Sequence, residues 1–148
     1  MRIVLFAPEI PQNAGNIART CAVTGTQLFL VRPLGFNLTD KHLKRSGLDY
    51  WGDVDVQIVD RLEDAIDGPF YFFSTKGKKP YTTISFEKNA CLVFGSETAG
   101  LPAWVHEKWP SQFYTIPMKP QARSLNLSNA AAVVIYEALR QHNFQFFN

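Results

Sequence analysis

Short apolar runs alternate with amphipathic helical patterns along the whole chain, and this alternation limits the available folds more than any other feature. RIVLFA at 2–7, QLFLVR at 27–32 and CLVFG at 91–95 have the length and apolar content of strands that are buried on both faces. Helical segments separate these runs, so the strands are expected to be parallel and joined by crossover helices. The sequence therefore predicts an α/β fold with a mostly parallel, doubly wound sheet and helices on both faces.

The remaining elements are predicted from the spacing of apolar residues and from the residues typical of turns and helix caps. Further strands are expected at 55–59, 70–74 and 112–117, and helices at 13–25, 61–67, 103–109 and 129–142, with a polar helix after Thr39 and a long irregular loop at 75–89. Asn13 is expected to start the first helix and Gly25 to end it. Open α/β sheets bind ligands at the carboxyl ends of their strands, so a site is expected in the loops after Ser74, Phe94 and Pro117.

Length and motif content exclude several classes of protein. The 148 residues fit one compact domain, predicted to span residues 1–148. Pro8 and Pro11 interrupt the first apolar run, and no run reaches the roughly 20 residues that cross a bilayer, so a cytoplasmic protein is expected. PEIPQNAGN follows the first strand in place of a G-x-G-x-x-G turn, and no G-x-x-x-x-G-K-[ST] loop occurs. These absences disfavour a dinucleotide-binding or flavodoxin-like enzyme.

Cysteine and histidine are too scattered to predict a metal site. Cys21 and Cys91 lie far apart in apolar sequence, which favours buried free thiols. His42, His106 and His142 share no ligand spacing, and each is interpreted as a surface histidine. The sequence therefore predicts no metal cofactor.

Positive charge is local. The formal net charge of +2 is too small to indicate a nucleic-acid-binding protein by itself. Basic residues cluster at 41–45 and again at Lys76, Lys78 and Lys79, whereas acidic residues concentrate between Asp49 and Asp67. The two basic clusters are interpreted either as RNA-binding patches or as ordinary solvated turns.

Three segments resemble the SPOUT-class RNA methyltransferases, and within them the small subfamily that methylates the ribose 2′-hydroxyl of the tRNA wobble nucleotide. They are PEIPQNAGNIAR (8–19), LVFGSETAGLP (92–102) and IPMKPQARSLNLSNAAAVVIYEALR (116–140), and they occur in the family's order. The resemblance implies a SPOUT fold whose carboxyl-terminal part forms a trefoil knot, a topology that is otherwise very rare. It also implies methylation of a cytidine or modified uridine in the anticodon.

The resemblance implies S-adenosylmethionine as cofactor and S-adenosylhomocysteine as product. Cofactor contacts are carried over to Phe73, Gly95, Ile116 and Ser124, and Ile116 with Leu125 is suited to sandwich an adenine. Glycine permits close approach of a ligand to the backbone, which agrees with Gly95 in the second motif. Ser124 has an alternative interpretation as a plain N-cap of the last helix.

Arg19 is the candidate catalytic residue by resemblance, and Asn13, Asn16 and Asn126 are candidate substrate-binding residues. A guanidinium is a poor base, so the expected role of Arg19 is to hold phosphate and stabilise the forming alkoxide. The alternative is a surface arginine on an amphipathic helix. Asn13 and Asn16 are suited either to anchor the ribose or to cap the helix, and Glu97 is expected to order its own loop.

The resemblance further implies a homodimer with a shared active site. Small apolar residues recur at helical spacing in the last helix: Ala130, Ala131, Val134, Ile135, Ala138 and Leu139. This stripe is suited either to a partner chain or to the protein's own sheet. Two alternatives for function remain open, a non-catalytic RNA-binding module on the same fold and 2′-O-methylation of an RNA other than tRNA.

Overall fold

The computed structural model describes residues 1–39, 41 and 48–147. These residues form a seven-stranded sheet in which all neighbouring strands are parallel, in the order β3-β2-β1-β6-β4-β7-β5. The strands are β1 (Arg2–Phe6), β2 (Gln27–Val31), β3 (Val56–Val59), β4 (Phe70–Phe73), β5 (Lys79–Pro80), β6 (Cys91–Phe94) and β7 (Phe113–Thr115). The predicted parallel α/β sheet is confirmed.

Four α-helices connect and cover the strands within the described residues. They are α1 (Pro11–Thr24), α2 (Leu62–Ala65), α3 (Ala103–Lys108) and α4 (Leu127–Gln141). Short 3₁₀ segments lie at Leu48–Asp53, Tyr81–Thr83, Pro110–Gln112 and Gln145–Phe147. The polar helix expected after Thr39 and most of the basic cluster at 41–45 lie outside the described residues.

The two faces of the sheet have separate cores because successive side chains of a strand point to opposite sides. Ile3, Leu28 and Leu92 are in register across β1, β2 and β6, and they pack with α1 and α4. On the opposite face, residues such as Val4 and Val93 pack with α2 and α3. Helices therefore cover both faces, as predicted.

The apolar stripe of α4 belongs to the protein's own core. Ala131, Val134, Ile135 and Ala138 are fully buried within the single chain and pack in the same cluster as Ile17 of α1. Of the two interpretations of this stripe, packing against the chain's own elements is therefore the correct one. A partner chain would have to use another face of α4.

The first helix differs from its prediction at one end only. Its last turn is closed by Gly25, which is left-handed at φ 67° and donates its N–H to the Cys21 carbonyl, as expected. The helix begins at Pro11 rather than at Asn13, since proline is well tolerated in a first turn. The Cys21 and Cys91 thiols are free and buried, which confirms that prediction.

The long loop after β4 is partly ordered by the end of the last helix. Gln141 donates to the Ile84 carbonyl (2.9 Å) and accepts from the Phe86 N–H (2.9 Å), and His142 Nε2 lies 2.8 Å from the Phe86 carbonyl oxygen. The same loop contains β5, which the sequence did not predict. The trefoil knot stays a prediction.

Candidate functional site

A cavity of about 570 Å³ opens at the carboxyl ends of β4, β6 and β7, where a ligand site was expected. Its walls come from the loops after these strands, the first turn of α1, α3 and the start of α4. The lining residues are Ile10, Asn13, Phe73 to Lys76, Phe94 to Leu101, His106, Thr115, Ile116, Met118, Arg123 to Leu127 and Ala130. All three motif segments therefore contribute to one cavity.

The loop after β6 is folded tightly onto itself. Ser96 and Gly100 form an isolated antiparallel bridge, with N–H to carbonyl distances of 3.2 and 3.0 Å. Gly100 is left-handed, at φ +66°, which glycine adopts without strain. A Cβ at Gly95 would overlap the backbone of Gly100 and Leu101. Glycine is thus required at position 95 by the loop's own geometry.

The loop after β4 is fixed by a second tight turn. The Ser74 N–H donates to the Tyr114 carbonyl (2.9 Å), and the Lys76 N–H donates to Ser74 Oγ (3.1 Å). A Cβ at Gly77 would overlap the backbone of Tyr114 and Thr115. The turn therefore sits directly against β7 and holds Lys76 at the cavity.

Two glutamate side chains link the start of α1 to the loop after β6, each by accepting hydrogen bonds from the other segment. The Glu97 carboxylate accepts from the N–H groups of Glu9 (2.7 Å) and Ile10 (3.1 Å) and from Nδ2 of Asn13 (3.3 Å). Glu9 in turn accepts from the Thr98 hydroxyl at 2.6 Å, and this hydrogen bond is the main cause that lowers the pKa of Glu9. Glu97 therefore ties its loop to α1 instead of ordering it only from within.

A side-chain amide pair joins the starts of the first and last helices. Asn126 donates from Nδ2 to Oδ1 of Asn13 at 3.0 Å. Its own Oδ1 accepts from the N–H groups of Ser128 (2.9 Å) and Asn129 (3.3 Å), so Asn126 is the N-cap of α4. The alternative interpretation of Ser124 as that cap is wrong, because α4 begins after Asn126.

His106 is a lining residue that the sequence interpretation missed. It was expected at the surface, but it is half-buried, and its ring stacks on Phe113 with centroids 3.9 Å apart. Burial, and secondarily the positive charge of Lys76, lowers the pKa of His106. Its only sequence signal is its position on the short helix directly after the second motif.

The candidate residues fall into two groups in space. Seven of them line the cavity: Phe73, Gly95, Ile116, Ser124, Leu125, Asn13 and Asn126. Asn16 and Arg19 are exposed on α1 and are not among the lining residues. Arg19 follows Asn13 by about 9 Å along the helix axis, at about 1.5 Å per residue.

The cavity fits the implied cofactor in size and chemistry. Its volume lies within the range of about 300–1,000 Å³ that is typical of small-molecule sites, and its walls combine apolar and polar groups. Phe73, Ile116 and Leu125 supply apolar surface, Ser124 supplies a hydroxyl, and the loop backbones supply amides and carbonyls.

The described part of the chain contains no group of three or more potential metal ligands. No helix among the described residues is long and apolar enough to cross a membrane.

Solved RNA methyltransferases have the same fold. One solved protein is described in terms of the 2-OH methylation of C/U34 on tRNA. Its sequence is 45% identical to this chain, its TM-score is 0.88, and the match covers 96% of this chain and 95% of that one. The SpoU methyltransferase AviRb from Streptomyces viridochromogenes, in complex with AdoMet, is 25% identical with a TM-score of 0.83, over 97% of this chain and 60% of that one. The chain thus has the fold of these methyltransferases.

The family follows from sequence comparison. The profile of the SpoU rRNA Methylase family matches residues 1–136, and the chain belongs to this family. A tRNA (cytidine(34)-2'-O)-methyltransferase from Methylovorus glucosotrophus is 50% identical over 96% of this chain and 96% of its own length. The family resemblance inferred from the three motifs is confirmed.

Proposed function

We propose that this chain transfers a methyl group from S-adenosylmethionine to the ribose 2′-hydroxyl of nucleotide 34, a cytidine or modified uridine, in tRNA. The observation that carries the proposal is the cavity to which all three motif segments contribute. Relatives that are similar over nearly their full length carry the name of this activity. A non-catalytic RNA-binding module would have no need for a cavity of this size and composition.

The cofactor's place is the cavity between the loops after β4, β6 and β7. Phe73, Ile116 and Leu125 form its apolar walls, Gly95 keeps the second loop folded, and Ser124 offers a hydroxyl. When bound, S-adenosylmethionine supplies an electrophilic methyl group on a sulfonium. The chain's own part is to hold the acceptor ribose in line with that methyl group and to exclude water.

Arg19 is proposed as the residue that stabilises the reacting ribose oxygen. A guanidinium stays charged and offers a forked donor that suits a phosphate and a forming alkoxide. Its exposure on α1, outside the lining of its own cavity, is compatible with reaching a large substrate or the site of a second subunit. The ribose proton leaves to water or to a phosphate oxygen.

A homodimer is proposed for the working enzyme. The apolar stripe of α4 is used internally, but Val133 and Tyr136 on the other side of α4 and Val23 on the adjacent α1 are large apolar residues that are 39%, 43% and 53% exposed. A contiguous apolar patch is typical of a surface that a partner covers, and these three side chains are the proposed members of one. Light scattering at micromolar concentration tests the dimer, and a monomer with full activity would contradict it.

The experiment for the activity is methyl transfer in a defined mixture. The purified protein is incubated with labelled S-adenosylmethionine and either total tRNA or ribosomal RNA, both from cells that lack this gene. The proposal expects label in tRNA as a 2′-O-methylnucleoside. Label only in ribosomal RNA, or only in a base, would contradict it and favour another RNA or another acceptor atom.

A further inference from the structure

Two positive side chains lie at the cavity and form no ion pair with a carboxylate of residues 1–39, 41 or 48–147. Lys76 and Arg123 both line it and both are exposed. The ion pairs formed by the described residues involve other cations, namely Arg2, Arg32, Arg61, Lys108 and Arg140. No carboxylate of the described residues therefore pairs with Lys76 or Arg123, which leaves both charges to attract an anion at the cavity.

Hydrogen-bonded turns fix the backbone beneath both charges. Lys76 lies in the turn in which the Gly77 N–H donates to the Ser74 carbonyl at 3.0 Å. Arg123 directly follows a turn closed by a 2.9 Å bond from the Ala122 N–H to the Lys119 carbonyl. A preordered backbone lowers the entropy that is lost when a ligand binds.

The cavity has little negative charge to offset these cations. Glu97 is the one carboxylate among the described lining residues, and its oxygens already accept three hydrogen bonds from the segment 9–13. The positive charge of Lys76 also contributes, after burial, to the lowered pKa of His106. A sulfonium is itself positive, so these cations do not serve to attract it. Their charge suits an anionic group instead.

We propose that Lys76 and Arg123 together bind a phosphate of the RNA backbone next to the nucleotide that is methylated. The inference rests on the proposed function and adds to it the residues that position the substrate. Amino and guanidinium groups are the usual protein ligands of backbone phosphates, and such contacts set register without reading sequence. The cofactor's own carboxylate is the other anion that could meet the same charges, and the experiment separates the two.

The experiment compares full-length Lys76→Ala and Arg123→Ala with Lys88→Ala. Lys88 is also an exposed lysine, but it precedes β6, at the amino ends of the strands. Its loss therefore makes the same charge change away from the cavity, which lies at the carboxyl ends. For each variant, tRNA affinity is measured by fluorescence anisotropy over a range of salt concentrations. S-Adenosylhomocysteine affinity is measured by calorimetry, and KM and kcat for tRNA are measured with saturating cofactor.

Lys76→Ala and Arg123→Ala are each expected to weaken tRNA binding and raise its KM about tenfold, as for a lost charged hydrogen bond. The slope of log tRNA affinity against log salt concentration should become shallower by about one, as for the loss of one phosphate contact. S-Adenosylhomocysteine affinity should stay within twofold of wild type, and Lys88→Ala should match wild type throughout. Circular dichroism checks that each variant is folded.

Two results would overturn the inference. Tenfold weaker S-adenosylhomocysteine binding with unchanged tRNA affinity would assign the two cations to the cofactor's carboxylate. Effects on tRNA no larger than those of Lys88→Ala would show that neither charge meets the RNA. If the wild-type protein transferred no methyl group to tRNA, the proposed function would fail, while the anisotropy measurement would still decide whether the two residues bind RNA.

Discussion

The Asn126 side-chain amide donates a hydrogen bond to the Asn13 side-chain oxygen at 3.0 Å, although 113 positions separate the two residues. Glu97 extends the link by accepting from the other end of the Asn13 amide at 3.3 Å. The chain of contacts therefore runs from the loop after β6, through the first turn of α1, to the cap of α4. Three segments that are distant in sequence are held together at one wall of the cavity.

Asn126→Ala removes both the cap of α4 and the link to Asn13. We expect a loss of about 1–2 kcal/mol in the free energy of unfolding, typical of a lost asparagine cap. Urea denaturation measures it. Asn129→Ala is the matched control, because Asn129 is an exposed residue in the first turn of the same helix and alanine favours helix there. Equal stability of the two variants would contradict the capping role.

Gly95→Ala should distort the wall of the cavity. The new Cβ would overlap the backbone of Gly100 and Leu101, so the loop after β6 must move. We expect S-adenosylhomocysteine affinity to fall at least tenfold in calorimetry, with a lower melting temperature. Gly52→Ala is the control, since a Cβ there meets nothing within 4 Å. Unchanged affinity in Gly95→Ala would refute the packing argument.

Arg19→Ala should separate chemistry from cofactor binding. Arg19 is exposed on α1 and does not line the cavity, so S-adenosylhomocysteine affinity should remain within a few fold of wild type. Methyl transfer should fall by about two to three orders of magnitude, as when a preorganised charge-stabilising donor is removed. Arg19→Lys keeps the charge but not the fork and should restore activity only weakly. Near-normal turnover of Arg19→Ala would remove it from the mechanism.

The charge state of His106 should depend on Lys76. Burial is the larger cause that lowers the pKa of His106 below its ordinary value of 6.5, and Lys76 is the smaller one. In an NMR titration, Lys76→Ala should raise the midpoint without restoring the ordinary value. Because the unfolded chain binds this proton more readily than the folded one, His106 should lower stability as the pH falls through 6.5. An unchanged midpoint would show that the two groups do not interact.

Much of the fold could be predicted because strands buried on both faces have nearly continuous apolar sequence. CLVFG at 91–95 is one example, and β6 occupies Cys91–Phe94. By contrast, β5 consists only of Lys79–Pro80. Two residues are too few to show an alternating apolar pattern, and a proline argues against a strand. β5 forms because β7 offers a free edge, a tertiary cause that a local pattern cannot contain.

Site residues that lie within a motif were predicted from the sequence. Those that reach the site only through long-range contacts were missed. Resemblance singled out Ile116 and Ser124, and both line the cavity. The contact of Glu97 with the start of α1 spans more than 80 positions, so only the fold shows it. His106 lies outside the three motifs and reaches the cavity by stacking on Phe113. Such residues are found by packing and not by spacing.

Methylation of the 2′-hydroxyl of nucleotide 34 is tested by locating the methyl group on the RNA. A 2′-O-methyl group blocks alkaline cleavage after its nucleotide, because the 2′-hydroxyl is the attacking group. A tRNA from cells without this gene is treated with the protein and S-adenosylmethionine, end-labelled and hydrolysed in alkali. We predict one new gap in the ladder, after nucleotide 34, that is absent without cofactor. An unbroken ladder, or a gap at another nucleotide, would contradict it.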